Sequence, residues 1–75
     1  MTPADEQLRS HARSALIHAH ISQAEAARRL GLSTKHLNQM ITGRAPLTLA
    51  WAERILALTG MHIVIGLAHN AQEKA

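Results

Sequence analysis

Residues 24–43 read AEAARRLGLSTKHLNQMITG, and Gly31-Leu32-Ser33 interrupts a chain whose pattern is helical on both sides. One long helix would be simpler, so the break holds two short helices at an angle. Gly31 turns the chain, because the left-handed conformation of a helix C-cap costs glycine no Cβ clash. Leu32 is expected in the core, and Ser33 offers the hydroxyl that caps the next helix. So tight a corner needs a small residue where the helices touch, and Ala27, four residues before Gly31, lies on that side. Ala26, Leu30, Leu32, Leu37 and Met40 supply the apolar positions that bury the pair. Local signals and packing agree on one geometry, which is stronger than any one of them.

The flanks carry the same punctuation. Thr2-Pro3, with Asp5 and Glu6 in the first turn, opens a helix predicted over 3–19 through Leu8, Ala12, Ala15, Leu16 and Ala19. Ser22 with Glu25 three residues on has capping-box spacing and starts a second helix that runs to Leu30. The third extends from its Ser33 cap to Thr42, and Gly43 ends it. Thr48 caps a fourth, bearing Leu49, Ala52, Ile55, Leu56 and Leu58 and predicted to reach Gly60, with Trp51 in its core. Beyond it, Met61-His62-Ile63-Val64-Ile65-Gly66-Leu67 alternates at period two and reads as a strand. Residues 70–75 form a polar end.

Composition agrees with helices. A chain of 75 residues makes one domain with a thin core. It has no Phe, Tyr or Cys and a single Trp, so the core is Leu, Ile, Met and Ala. That recipe suits close-packed helices and disfavours a sheet-rich fold. No apolar run reaches the ~18 residues of a membrane span and the N-terminus lacks a signal-peptide pattern, so a cytoplasmic protein is expected. Net charge is +3 and the pI is near 10.7. Between Arg9 and Trp51, Arg9, Arg13, Arg28, Arg29, Lys35 and Arg44 face one acid, Glu25, which suits a polyanionic partner. Arg9 and Arg13 share one face of the first helix, open to phosphates or to acids. Glu25 is expected to pair with one of Arg28 and Arg29, the other standing in solvent.

Six histidines invite a metal reading, but His18 and His20 are two apart, on different sides of a helix. No metal site, cofactor or catalytic function is expected. Ser and His occur without an acid to orient a base, and so small a chain encloses no pocket.

The span from Gln23 to Thr42 resembles the helix-turn-helix of the Cro and lambda-repressor (XRE-type) family of DNA-binding proteins. The likeness rests on Gln23, Ala27, Gly31, Leu37 and Met40, with Gly43, Arg44 and Pro46 as the exit, and covers roughly residues 5–60. It implies an all-α, lambda repressor-like bundle of four helices in a DNA-binding domain at 1–60. The motif occupies 23–42 and the recognition helix 33–42. Residues 61–69 form a C-terminal strand for dimerisation, and 70–75 a flexible tail. Opposite Leu37, Met40 and Ile41, the third helix shows Thr34, Lys35, His36, Asn38 and Gln39, whose chemistry suits base edges: Lys to guanine, Asn and Gln to adenine, the Thr methyl to thymine. The resemblance assigns these to the major groove, and Ser22, Gln23, Ser33, Thr42 and Arg44 to backbone phosphates.

A lone strand would leave its backbone groups unpaired. Two copies pairing antiparallel through Met61, Ile63, Val64, Ile65 and Leu67 would satisfy them. Such a dimer sets two recognition helices about 34 Å apart on a palindromic site. The expected protein is a small phage or bacterial repressor acting on double-stranded DNA as a homodimer. The rival is an antitoxin that binds its own operator and a toxin protein through the apolar tail.

Overall fold

Side-chain caps decide where three of the four helices begin. The computed structural model describes residues 3–68. In it α1 spans Pro3–His18, α2 Gln23–Leu30, α3 Thr34–Thr42 and α4 Leu49–Ala57. Ser22 Oγ accepts from the Glu25 amide at 3.1 Å, Ser33 Oγ from the His36 amide at 3.0 Å, and Thr48 Oγ1 from the Trp51 amide at 3.1 Å. Each bond satisfies one of the four free N–H groups at a helix start. The predicted cap of α1, Thr2, lies outside the described residues, as do residues 69–75.

The interruption at Gly31 is a real corner. Gly31 has φ 71° and ψ 27°, and the Leu32 amide reaches back to the Ala27 carbonyl at 2.9 Å. Gly43 closes α3 with φ 91°. α1 ends the same way without glycine: His20 has φ 57°, and the Ile21 amide bonds the Leu16 carbonyl at 3.0 Å. Histidine is among the residues that tolerate this region best.

α1 packs on α3 and α4, and α2 on α3 and α4. The shared core holds Ala12, Leu16, Ala26, Ala27, Leu30, Leu37, Met40, Ile41, Leu47, Ala52 and Ile55, all buried. Leu32 and Trp51 pack against it while half-buried. Small alanines at four of these positions let the helices approach closely. Leu37, Met40, Ile41 and Ile55 are the largest side chains wholly out of solvent. Burying each contributes about 1.5–3 kcal/mol.

Four sequence expectations change. The predicted strand is absent: residues 61–68 form neither helix nor strand. A strand exists by pairing, and no second strand occurs among the described residues. Only Ile63 of that row packs on the core, while Met61, Val64, Ile65 and Leu67 are exposed. α4 ends at Ala57, short of Gly60, because the Leu58, Thr59 and Gly60 amides turn back three residues to Ile55, Leu56 and Ala57. Such tight bonds make a closing turn, and α-helical spacing stops. α1 likewise stops at His18, short of residue 19. Finally, Arg9 is not a surface group but 5% exposed inside the bundle.

Candidate nucleic-acid interface

α3 divides as its sequence implies. Leu37, Met40 and Ile41 are buried, Thr34, Lys35 and His36 are exposed, and Asn38 and Gln39 are half-buried at the border. The helix therefore offers a polar ridge at its N-terminal half, fixed from behind by its own apolar side. Lys35 and Arg44 form no ion pair among the described residues, so their charge is available to an anion.

Gln23 begins α2, and its Oε1 accepts from Asn38 Nδ2 at 3.0 Å. This bond joins the predicted phosphate-binding residue to a predicted base-reading one. The Gln23 Nε2 keeps two donors for a phosphate oxygen. Asn38 spends one of its two N–H groups and retains a second donor and its Oδ1 acceptor. Both assignments fit at once, and each holds the other in place.

The remaining phosphate candidates differ. The Ser22 and Ser33 hydroxyls accept the capping amides and still have a proton to donate. Thr42 Oγ1 donates to the Asn38 carbonyl at 2.7 Å, so its donor is spent, and a phosphate offers only acceptors. Arg44, exposed one residue past Gly43, is better equipped.

Glu25 binds both neighbouring arginines, contrary to the expectation that one would stand free. Its carboxylate accepts from Arg28 Nη2 at 2.6 Å and from Arg29 Nε at 2.7 Å. Hydrogen bonds from Arg28 first, and Arg29 second, hold its pKa at about 2 against an ordinary 4.5, while Glu25 raises that of Arg28. One anion shared by two cations leaves the trio about one net positive charge. Arg54 lies 4.6 Å over the Trp51 ring, so the tryptophan serves the core with one face and a cation with the other.

Sequence reasoning missed the work of two arginines. Arg9 Nε donates to the Met40 carbonyl at 3.1 Å, and Arg13 Nη1 to the Ile41 carbonyl at 2.6 Å. The signal was present for Arg9, which falls in the apolar row with Ala12 and Leu16. A cation in such a row points at a buried carbonyl.

The cornered pair of α2 and α3, with the polar side of α3 exposed, has the form of a helix-turn-helix. The model of the family described as "Helix-turn-helix domain" matches residues 6–63, and the chain belongs to that XRE-like family. No curated protein and no solved structure matches the chain. Membership makes it a DNA-binding regulator in class, in a family that is typically non-enzymatic. Among the described residues no helix is long and apolar enough to cross a membrane, and no three His, Cys, Asp or Glu side chains gather as metal ligands would.

Proposed function

We propose that the protein is a sequence-specific transcriptional repressor of the Cro type that binds a palindromic operator as a homodimer. The observation that supports this best is the Gln23–Asn38 bond, which ties the candidate phosphate donor at the start of α2 to the candidate reading face of α3. Thr34, Lys35, His36, Asn38 and Gln39 would contact base edges. Ser22, Gln23, Ser33 and Arg44 would hold the backbone, with Thr42 beside them. Residues 1–60 then act as the DNA-binding domain. Repression follows from occupying the operator and excluding polymerase.

The segment Met61–Leu67 supports the dimer. It leaves Met61, Val64, Ile65 and Leu67 exposed, beside a groove of about 340 Å³ lined by Leu8, Ala15, Leu56 and Ile63. A second copy would cover these side chains. The same exposed row favours the rival reading, in which a toxin protein covers it and the chain is an antitoxin. Co-purification from the native host separates the two: a stoichiometric second protein supports the antitoxin, a self-associated chain the repressor.

Binding to duplex DNA across salt tests the reading. A dimer neutralising six or more phosphates should lose about 10³-fold in affinity between 50 and 200 mM salt. Salt-insensitive or absent binding would overturn the proposal.

A further inference from the structure

We infer that Arg9 and Arg13 of α1 set the pose of α3 and so act as positioning residues for base reading, without touching DNA. A helix leaves its last four carbonyls without intrahelical partners. In α3 the Gln39 carbonyl takes the Arg44 and Ala45 amides of its own exit loop, at 2.9 and 3.0 Å. The next two carbonyls, of Met40 and Ile41, go to guanidinium groups of another helix, from residues 31 and 28 positions earlier in the chain. Arg9 extends a second bond to the Ala45 carbonyl at 3.5 Å, so it spans the end of α3 and its exit loop.

Two cations at the C-terminal end of α3 also oppose the negative end of its dipole. The arrangement is not the cheapest way to fill the site. Arg9 is 5% exposed, and its Nη1 has no hydrogen-bond partner among the described residues. An apolar side chain would avoid that cost. What apolar packing does not supply is direction: Met40 and Leu37 hold α3 against the bundle but resist rolling and sliding weakly, whereas hydrogen bonds to fixed carbonyls set both. Reading base edges demands placement within about 0.5 Å and 10–20°. The polar ridge at one end of α3 is aimed from the other end.

This inference rests on the DNA-reading proposal, and the experiment keeps the two apart. Arg13 is the residue to change, since its side chain is 40% exposed and shares only a 3.5 Å contact with Glu6 besides the carbonyl. Arg13→Met keeps the stem and removes the donors; Arg13→Lys restores a donor and the charge. Residual dipolar couplings of the free proteins report the orientation of α3 against α1. Affinities are measured for a duplex enriched from a random pool by the wild-type protein, and for a random-sequence duplex.

The expected result for Arg13→Met is a reorientation of α3 by about 10° or more. Its preference for the enriched duplex falls about tenfold, the salt slope on random duplex is unchanged, and Arg13→Lys recovers most of both losses. Unchanged couplings would overturn the inference. So would a salt slope lower by about one, which would place Arg13 on a phosphate. If the wild type enriches no duplex, the DNA-reading proposal fails, while the couplings still decide whether Arg13 aims α3. Should Arg13→Met fail to fold, Arg13→Gln takes its place in the same readouts, and unchanged couplings would overturn the inference.

Discussion

Lys35 and Gln39 stand on the same α3 ridge in different settings, the lysine in open solvent and the glutamine half-buried at the rim. If they read bases, Lys35→Ala or Gln39→Ala costs about 1–3 kcal/mol at the preferred site and relaxes sequence choice there. Competition binding against single-base variants of the site checks this, and equal discrimination by both variants would remove them from the interface. Glu25 gives a pH-dependent case. Its folded pKa, about 2, lies below the ordinary 4.5. Its stabilising pairing is therefore complete above about pH 4.5 and lost as pH falls toward 2. Carboxyl NMR titration should find the Glu25 midpoint near 2 rather than near 4.5, and Arg28→Ala, removing the larger cause, should move it up. Most of these positions were legible because exposure on a helix follows from its spacing. Arg9 was legible only in its spacing with Ala12 and Leu16, which a count of cations does not show.

The corner between α2 and α3 carries the shape of the site. Gly31 sits at φ 71° with open space around it: nothing lies within 4 Å of where a Cβ would stand. Gly31→Ala should therefore cost only the backbone penalty of a left-handed residue, roughly 1–2 kcal/mol, without a clash. Leu37 is 0% exposed at the centre of the core, and Leu37→Ala should cost about 2–5 kcal/mol. Urea unfolding of both variants checks the ordering. The helices and their starts were readable because Ser22, Ser33 and Thr48 are caps whose partners lie three residues away. The end of α1 was not, because it turns on His20 rather than glycine. Residues 61–68 were misread for a different reason. Alternation of β-branched side chains states what a segment can do beside a partner strand, and the partner is not written in the segment.

Across the molecule, charge and apolar surface are sorted. Among the described residues Lys35 and Arg44 form no ion pair at the two ends of α3, whereas Arg28 and Arg29 are half-neutralised by Glu25 and Arg9 is spent inside. The surface proposed to meet a polyanion is thus smaller than the sequence charge suggests, and lies around α3. The apolar row at Val64, Ile65 and Leu67 is 81%, 69% and 99% exposed. If it is a dimer surface, Ile65→Glu should turn a dimer into a monomer in sedimentation, and weaken operator binding without altering the fold. A wild-type chain that sediments as a monomer at tens of micromolar would contradict the dimer.

The central claim is that the ridge of α3 enters DNA while the exposed side of α4 does not. Chemical-shift mapping of the ¹⁵N-labelled chain during titration with its enriched duplex tests it most directly. The largest shifts are expected at residues 33–39 together with Gln23 and Arg44, with Ala50, Glu53 and Ala57 unmoved. Shifts gathered on α4 with α3 silent would contradict it.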